Sequence, residues 1–347
     1  MPAIPVGILG ATGMVGQQFI ALLANHPWFK VEWLGASERS AGKAFRDAAA
    51  WRLPNVLPDD VARKVVNTAT PGNAPKLVFS GLDSSVAGEI EQAFAEAGHF
   101  VVSNSRNYRM EPTVPLLIPD VNPDHLKLLE KQGAATGWKG RIVTNPNCST
   151  VVLATALAPL RQFGLTTTMI TTLQAISGAG YPGVPSWDIL GNVIPYIGGE
   201  EEKIETEPRK ILGAFANGEV TFHPVRISAT TTRVPVQNGH TESISVGLEQ
   251  KPTADAIIEA WTSFKSKPQE LGLPTAPPRP IVYLREANRP QPLLDVNRDG
   301  GMAVTIGRLR QCSLFDFKFI ALGHNTIRGA AGAAILNAEL MHSEGLL

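Results

Sequence analysis

The chain has 347 residues, of which 31 are basic and 31 acidic, so its formal net charge at pH 7 is zero. A balanced charge gives no overall field that would attract nucleic acid or an anionic membrane. The composition, 44% hydrophobic and 18% charged, is typical of a soluble globular protein, and the length favours two domains.

The sequence shows neither a targeting pattern nor a metal-binding one. No apolar run reaches the ~20 residues that a membrane-spanning helix needs, and the first residues lack a basic segment followed by an apolar one. The two cysteines, Cys148 and Cys312, lie far apart and form no C-x-x-C pair, which argues against a disulfide framework and against a zinc site. We therefore expect a cytoplasmic protein that binds no metal.

The first segment has the pattern of a strand, a glycine turn and a helix. Residues 4–9 predict a short buried strand, residues 10–16 read G-x-x-G-x-x-G, and apolar residues then recur at helical spacing. This context is the one that a dinucleotide-binding fingerprint requires, although the glycine spacing is a variant of the usual one. Gly10 would permit the tight turn, Gly13 the approach of a pyrophosphate, and Gly16 the close packing of the helix. The predicted cofactor contacts here are Gly10, Thr12, Gly13, Met14 and Val15.

The end of the second predicted strand favours NADP over NAD. The strand pattern covers residues 31–36, and residues 37–40 then read Ser-Glu-Arg-Ser. An NAD site places an acidic residue here to hold the ribose 2′-hydroxyl, whereas two hydroxyls and a guanidinium suit a 2′-phosphate. Glu38 is the dissenting residue, and a polar surface loop would explain Arg39 and Lys43 as well. The predicted cofactor contacts here are Ser37, Arg39 and Ser40.

Further strands alternate with helical patterns, which predicts a parallel, doubly wound sheet. Residues 76–80 and 99–103 predict strands, and residues 86–97 between them predict a helix that ends at Gly98. In such sheets, ligands bind beyond the carboxyl ends of the strands. That edge would bring together the glycine turn, Ser37, Ser80 to Leu82, residues 104–109 and Cys148, and it adds Ser80 and Leu82 to the predicted cofactor contacts.

Cys148 lies between a strand pattern at 141–143 and a long apolar helical pattern that starts at Val151. A sulfur at a helix N-terminus is close to unpaired backbone N–H groups and to the positive end of the helix dipole, which favours the nucleophilic thiolate. A lone cysteine is also commonly a small buried apolar residue, and the segment alone leaves both interpretations open. Pro159 should kink or end the helix near Ala158.

β-Branched residues dominate the second half of the chain, and few helical patterns intervene. We expect a mainly antiparallel sheet here, with apolar faces extensive enough for an oligomer interface. The last helix, residues 326–341, is so rich in Gly and Ala that it should pack closely, back on the first domain. The predicted strands of this half are residues 166–176, 226–236, 241–248, 302–309 and 316–322.

Residues 232–243 contain Asn-Gly between two β-prone runs, which predicts a two-residue hairpin turn. Such a turn would place Gln237 opposite His240, and Arg233 would share their face because it lies an even number of residues from Gln237. The hairpin would thus set a base beside an anion-binding group, although a histidine in a surface turn fits the local pattern as well.

Glu200 and Lys203 open a charged helical segment and are neighbours on one of its faces. Most runs of this kind are simply solvated surface, so the pair indicates a site only together with other residues.

Taken together, these blocks resemble the aspartate-semialdehyde dehydrogenase family, specifically its archaeal and fungal branch. The similarity runs nearly from end to end, and blocks of unrelated composition recur in one order. They are GATGMVG at 10–16, SNSRNYRM at 103–110, NPNCST at 145–150, QAISGAGYPG at 174–183, NVIPYIGGEEEK at 192–203, TTTRVPVQNGHTES at 230–243 and HNTIRGAAGAA at 324–334.

The resemblance implies roles for single residues. Cys148 would be the nucleophile that forms an acyl-enzyme, His240 the acid–base group, and Gln174 would orient the thiohemiacetal intermediate. Arg233 would bind the substrate α-carboxylate through its planar fork, and Glu200 its α-ammonium group. Implied phosphate contacts are Arg109 and Lys203, with help from Asn147. Implied contacts to the nicotinamide end of NADP are Ser177, Gly178, Gly180 and Asn325.

The resemblance also implies the architecture and the reaction. A Rossmann-type parallel sheet domain at 1–147 would bind NADP and be completed by the C-terminal helix at 325–347. Residues 148–324 would form an α+β catalytic and dimerisation domain with a mainly antiparallel sheet. The implied reaction is reduction of L-4-aspartyl phosphate by NADPH to L-aspartate 4-semialdehyde and phosphate, in methionine and threonine biosynthesis, by a homodimer or homotetramer.

Two alternatives remain from the sequence. An NADP-dependent acyl-CoA reductase, such as a malonyl-CoA reductase, would use the same cysteine and histidine but would not need Glu200 or a small phosphate pocket. A catalytically silent NADP-binding regulator would leave Cys148, Gln174, Arg233 and His240 without a task.

Overall fold

The structure is a computed structural model that describes residues 3–347. Its first sheet has six strands in the order β3-β2-β1-β4-β5-β6, and all of its pairings are parallel. The strand order reverses between β1 and β4, where doubly wound sheets open a crevice for a dinucleotide. The strands are β1 (Ile4–Leu9), β2 (Phe29–Ala36), β3 (Val66–Thr68), β4 (Leu77–Ser80), β5 (Phe100–Ser103) and β6 (Arg141–Thr144).

The second sheet also has six strands, in the order β10-β7-β11-β14-β13-β12, and its pairings are mixed. The three central pairings are antiparallel, and both edge strands pair in parallel. A separate two-stranded ribbon is formed by β8 (Ala214–Ala216) and β9 (Glu219–Thr221). The sheet strands are β7 (Leu165–Gln174), β10 (Arg226–Arg233), β11 (His240–Leu248), β12 (Ile281–Leu284), β13 (Val304–Gln311) and β14 (Phe317–Gly323).

Twelve α-helices lie within the described residues, and three of them position the site. The helices at Met14–Leu23 and Cys148–Leu157 follow strands of the first sheet directly, and the helix at Glu200–Ile211 carries a row of charged side chains. The helices are α1 (Met14–Leu23), α2 (Phe45–Ala48), α3 (Asp59–Ala62), α4 (Ser84–Ala97), α5 (Leu128–Thr136), α6 (Cys148–Leu157), α7 (Ser186–Ile189), α8 (Glu200–Ile211), α9 (Ala254–Thr262), α10 (Lys267–Glu270), α11 (Pro292–Asp295) and α12 (Gly332–Ser343).

Both faces of the first sheet are covered by helices, as a doubly wound fold requires. On one face, α1 and the C-terminal helix α12 share a core with the strands, for example through Phe19, Phe79 and Ile335. On the other face, α4 packs Phe94 against Trp33. The last helix thus packs on the first sheet, as its small residues predicted. The domain boundaries at 147/148 and 324/325 stay a prediction.

The second sheet has one covered face and one open face. Apolar residues of α6 and the sheet form a second core, with Trp261 of α9 fully buried in it. On the opposite face of β7, Met169 and Leu173 are 46% and 39% exposed. An open apolar sheet face of this kind is unusual for a surface that meets only water.

The predicted hairpin at 232–243 is wrong. β10 and β11 do not pair with each other, because β7 lies between them and pairs with both. The segment after β10 instead follows the end of β7, where Val234 and Ile176 donate to the carbonyls of Gln174 and Val236. The long β-branched strand β7 pairs along nearly its whole length with β10 on one edge and with β11 on the other. These pairings outweigh the local turn signal of Asn-Gly.

Helix ends follow the sequence more closely. α4 ends at Gly98, which adopts a left-handed conformation with φ 106°. α6 ends at Leu157, and the chain continues as a 3₁₀ turn at Ala158–Phe163, which confirms the effect expected of Pro159. No helix in the part of the chain that the structure describes is long and apolar enough to cross a membrane.

Candidate active site

Cys148 is the first residue of α6, directly after the turn that follows β6. Asn147 caps this helix, because its side-chain oxygen accepts hydrogen bonds from the backbone N–H groups of Ser149 at 3.0 Å and Thr150 at 3.2 Å. The cap fixes the turn that carries the sulfur. Cys148 keeps part of its surface in a cleft between the sheets.

The sulfur of Cys148 lies 3.1 Å from Nε2 of His240, which is fully buried. The other ring nitrogen, Nδ1, accepts a hydrogen bond from the backbone N–H of Ala175 at 3.1 Å. Because Nδ1 accepts, the neutral imidazole carries its proton on Nε2 and directs it at the sulfur. The pair is thus arranged for His240 to donate a proton to the sulfur or to an atom bonded to it.

The surroundings keep both groups neutral. The pKa of His240 is lowered to about 3, chiefly by burial; the nearby Glu200 opposes this shift and Arg233 adds to it. The pKa of the Cys148 thiol is raised to about 12, chiefly by burial and then by Glu200, while Arg109 and Arg233 oppose the shift. The sequence predicted that the helix N-terminus would favour a thiolate. In this structure, desolvation and the Glu200 carboxylate outweigh that effect.

Glu200 is a buried carboxylate at the start of α8 that contacts three site residues. One oxygen accepts from the side-chain amides of Asn147 at 2.7 Å and Gln174 at 3.3 Å, and the other lies 3.0 Å from Nζ of Lys203. Burial opposes its ionisation, but Lys203 and Asn147 outweigh burial and hold the pKa of Glu200 below its usual value. Glu200 and Lys203 therefore belong to the site and not to a solvated surface.

Arg233 lies beside His240, although not through the predicted hairpin. Nη1 of Arg233 donates to the backbone carbonyl of Ala175 at 2.8 Å. The backbone N–H of Ala175 in turn donates to Nδ1 of His240. Gly178 faces both side chains, since a Cβ there would lie 2.8 Å from Nη1 of Arg233 and 3.1 Å from Cε1 of His240. The end of β7 and the turn after it therefore hold the base and the anion-binding group together.

A cleft of about 410 Å³ extends from Cys148 to the glycine turn of the first sheet. Arg109, Asn147 and Asp83 are among its other lining residues. Predicted cofactor contacts that line it are Gly13, Met14, Val15, Leu82, Ser177, Gly178, Gly180 and Asn325. Predicted cofactor contacts that do not line it, among the described residues, are Gly10, Thr12, Ser37, Arg39, Ser40 and Ser80.

The glycine turn fits a dinucleotide. Gly10 has φ +70°, and a Cβ there would lie 2.7 Å from the carbonyl oxygen of Gly81, so the two turns can meet only without a side chain. A Cβ at Gly16 would lie 2.3 Å from the carbonyl oxygen of Gly10, which explains the close packing of α1 on the turn. α1 has no side-chain cap at Gly13, so its first N–H groups are available to a pyrophosphate.

Asn325, which is predicted to contact the nicotinamide end, connects two segments that line or border the cleft. Its Nδ2 donates to Oγ of Ser177 at 2.8 Å, and its Oδ1 accepts from the N–H of Gly239 at 2.9 Å. At the adenine end, Ser37 and Arg39 are exposed and Ser40 is half-buried. Their polar groups are thus accessible to a 2′-phosphate, and their contacts stay a prediction.

Two residues near the nucleophile were not predicted from the sequence. Glu207 is 2% exposed and bonds both Arg109 and the backbone of Asn147. Gly329 lies against Cys148, since a Cβ there would lie 2.7 Å from the Cβ of the cysteine. The sequence marked both only indirectly, Glu207 by its helical spacing from Glu200 and Gly329 as one of several small residues. No group of three or more metal-binding side chains is found within residues 3–347.

Comparisons with known proteins agree with this geometry. The model of the semialdehyde dehydrogenase NAD binding domain matches residues 5–129, and that of the semialdehyde dehydrogenase dimerisation domain matches residues 157–328. The chain is 49% identical over 343 residues to the aspartate-semialdehyde dehydrogenase of Archaeoglobus fulgidus, and the matched region covers 99% of both chains. It is 48% identical over 353 residues to that of Schizosaccharomyces pombe, again covering 99% of both.

The fold agrees as well. The crystal structure of aspartate semialdehyde dehydrogenase with NADP from Candida albicans superposes with a TM-score of 0.91 and 44% identity, covering 99% of this chain and 100% of that one. Near-complete coverage in both directions means that the similarity includes both sheets and the segments between them. The resemblance inferred from the sequence blocks is confirmed, and the chain belongs to the aspartate-semialdehyde dehydrogenase family.

Proposed function

We propose that the protein catalyses the NADPH-dependent reductive dephosphorylation of L-4-aspartyl phosphate to L-aspartate 4-semialdehyde and phosphate, a step toward methionine and threonine. The observation that carries this proposal is the set of groups around one sulfur. His240 lies 3.1 Å from Cys148, and an arginine and a carboxylate suited to an amino acid flank the pair. The family membership supports the same substrate.

The site residues divide the substrate between them. Arg233 is the donor for the α-carboxylate, because a guanidinium fork matches a carboxylate in two hydrogen bonds. Glu200 is the acceptor for the α-ammonium, since it is held ionised inside the site. Arg109 and Lys203 are the cations for the phosphate, with help from Asn147, and Gln174 is the neutral group that orients the thiohemiacetal intermediate.

The chemistry follows from the nucleophile and its partner. The sulfur of Cys148 attacks the acyl carbon while its proton passes to the departing phosphate, so the C–S bond forms, the C–O bond to phosphate breaks, and a thioester is left on the enzyme. NADPH, bound along the cleft, supplies the hydride that reduces the acyl group. His240 donates its Nε2–H to the developing oxyanion and takes the proton back when the thiohemiacetal collapses, which breaks the C–S bond, releases the aldehyde and leaves a thiolate that a proton from solvent neutralises. A positioned acid–base group of this kind contributes roughly 10²–10⁴-fold in rate.

The proposal is tested in the reverse direction. Purified protein is mixed with L-aspartate 4-semialdehyde, phosphate and NADP, and NADPH is followed by absorbance; phosphate is then omitted, or replaced by coenzyme A. Phosphate-dependent NADPH formation from the amino-acid substrate is the expected result. Activity only with a dicarboxylic semialdehyde and coenzyme A would assign the protein to the acyl-CoA reductases instead. Absence of activity in a protein that binds NADP would favour a regulator.

We also propose that two copies associate through the open face of the second sheet. Met169 and Leu173 are exposed there, and Trp187 and Leu190 of the segment after β7 are 94% and 73% exposed. These large apolar side chains belong to the region that matches the dimerisation domain of the family. Leu173→Glu should lower the mass measured by light scattering to that of one chain, whereas Val56→Glu, at an exposed residue of the first domain, should not. The cytoplasmic location stays a prediction.

A further inference from the structure

We propose that Glu207 is a positioning residue that fixes the phosphate-binding guanidinium of Arg109 relative to the nucleophile. The inference rests on the proposed function, because it concerns the group assigned to phosphate. Glu207 is not itself expected to touch the substrate, since its two carboxylate oxygens are occupied by other residues.

The two oxygens of Glu207 hold two different parts of the site. Oε1 accepts from Nη1 of Arg109 at 2.8 Å, and Oε2 accepts from the backbone N–H of Asn147 at 2.7 Å. Arg109 belongs to the loop after β5, whereas Asn147 directly precedes the nucleophile after β6. One carboxylate on α8 therefore sets the distance between the guanidinium and the turn that carries the sulfur.

The contacts of Arg109 leave donors for an anion. Its Nη2 donates to the carbonyl of Asn104 at 2.7 Å, so two of the five N–H donors of a guanidinium are engaged. The residue lines the cleft together with Cys148. A carboxylate buried next to a phosphate site is electrostatically unfavourable unless other groups in the site pair with it. Glu207 orients a cation that lines the cleft, and this explains the burial of the carboxylate.

A second residue of the same helix holds the backbone of the same loop. Lys210, one turn after Glu207, is 1% exposed, and its Nζ donates to three carbonyl groups. These belong to Arg109 at 2.8 Å, Glu111 at 2.7 Å and Val114 at 2.9 Å. Glu200 and Lys203 lie on the same face of α8, two turns earlier. The charged row of α8 thus binds the Arg109 loop in two ways. Lys210 holds its backbone, and Glu207 holds its guanidinium.

The test is the kinetic behaviour of Glu207→Gln in the reverse assay. The amide oxygen can still accept from Asn147, but the amide N–H₂ would meet the Nη1 donor of Arg109, so the guanidinium loses its anchor. We expect the KM for phosphate to rise on the order of tenfold or more, with the KM for the semialdehyde and for NADP nearly unchanged. Glu202→Gln is the matched control, because Glu202 is exposed on the same helix, and it should leave all three constants unchanged.

A double-mutant cycle separates positioning from general damage. If Glu207 acts through Arg109, then in an Arg109→Ala background the change Glu207→Gln should add little to the KM for phosphate. Should Glu207→Gln fail to fold, Glu207→Asp provides the same comparison, since the shorter carboxylate keeps its charge but cannot span both donors. An unchanged phosphate KM, or an equal rise in all three KM values, would overturn the inference.

The wild-type assay tests the proposed function, and the phosphate KM of Glu207→Gln tests the role of Glu207. If the wild-type protein forms no NADPH in a phosphate-dependent way, the proposed function is wrong, and the inference is wrong with it. If the wild-type protein is active and Glu207→Gln has the wild-type KM for phosphate, only the role of Glu207 is wrong.

Discussion

The reactivity of the Cys148 sulfur depends on a balance between one carboxylate and two guanidinium groups. Burial and Glu200 raise the pKa of the thiol to about 12, and Arg109 and Arg233 lower it. The ammonium group of the proposed substrate would pair with Glu200 and remove part of the opposing charge. Its carboxylate and its phosphate would pair with Arg233 and Arg109 in the same way, so substrate binding would change the charges on both sides of this balance.

This balance predicts how the sulfur reacts with an alkylating reagent. Since only the thiolate reacts, the alkylation rate at Cys148 should rise with pH throughout pH 7–10 without a plateau. Glu200→Gln removes a charge that raises the pKa, so this variant should react faster at pH 8. The measurement uses a Cys312→Ala background, so that one thiol is followed. A plateau near pH 7 in the parent protein would show that the thiol is already ionised there, which would contradict a raised pKa.

Removal of the nucleophile should separate chemistry from binding. We expect Cys148→Ser to lower kcat by about 10⁴-fold or more, because a hydroxyl in place of the thiol does not form the thioester. NADP binding, measured by titration calorimetry, should be retained, since Gly13 and Asn325 are unchanged. Cys312→Ser, at a cysteine outside the cleft, is the control. Turnover near the wild-type rate in Cys148→Ser would mean that another group is the nucleophile.

At the scale of elements, the start of the last helical segment is packed against the nucleophile. A π turn at Ile327–Ala331 precedes α12, and Gly329 within it leaves room for Cys148. Since a Cβ at this position would lie 2.7 Å from that of the cysteine, Gly329→Ala must displace one of the two backbones. A shift of about 1 Å at a nucleophile can cost on the order of 10²-fold in rate.

We therefore expect Gly329→Ala to lower kcat by about 10²-fold while NADP binding changes little. Gly332→Ala is a suitable comparison, because its Cβ would meet the thioether of Met302 and a side chain of Ile327 and not the cysteine. It should lower the thermal midpoint without a comparable loss of kcat. Equal losses of kcat in both variants would indicate that general crowding, and not the nucleophile, is affected.

The elements show what the sequence could and could not predict. The strand, glycine turn and helix at 4–23 were predictable because their signals are local, and the end of α6 followed from Pro159 alone. The neighbours of β7 were not predictable from local signals, since Asn238-Gly239 reads as a hairpin wherever it occurs. Glu207 was missed for the same reason. Its two partners lie 98 and 60 residues away, and only the fold brings them together.

At the scale of the whole molecule, one buried ion pair connects the C-terminal segment to the middle of the chain. Nη2 of Arg328 lies 2.6 Å from the Asp120 carboxylate, and both side chains are fully buried. Asp120 also accepts from Gln269 at 2.8 Å, so three distant segments meet at this carboxylate. Neither Arg328 nor Asp120 was predicted as important, because a buried pair leaves no pattern in the sequence.

Breaking this ion pair should lower the free energy of unfolding. Arg328→Ala leaves Asp120 as an uncompensated buried charge, and we expect the free energy of unfolding to fall by about 3–5 kcal/mol. The double variant Arg328→Met with Asp120→Asn removes both charges and should recover much of that loss. Urea denaturation followed by circular dichroism measures both. A double variant no more stable than the single one would show that packing, and not the unpaired charge, is what Arg328→Ala disturbs.

The position of α12 has a consequence for how the protein is made. Its side chains complete the core of the first sheet, yet α12 begins at Gly332 and is synthesised long after β6 ends at Thr144. At the usual rates of synthesis, the strands that end near residue 144 wait roughly 10–40 s for α12 to emerge. During that interval the face that α12 will cover exposes apolar side chains such as Phe79 and Val102 to solvent. A nascent chain of this enzyme is therefore expected to need a chaperone until α12 has emerged.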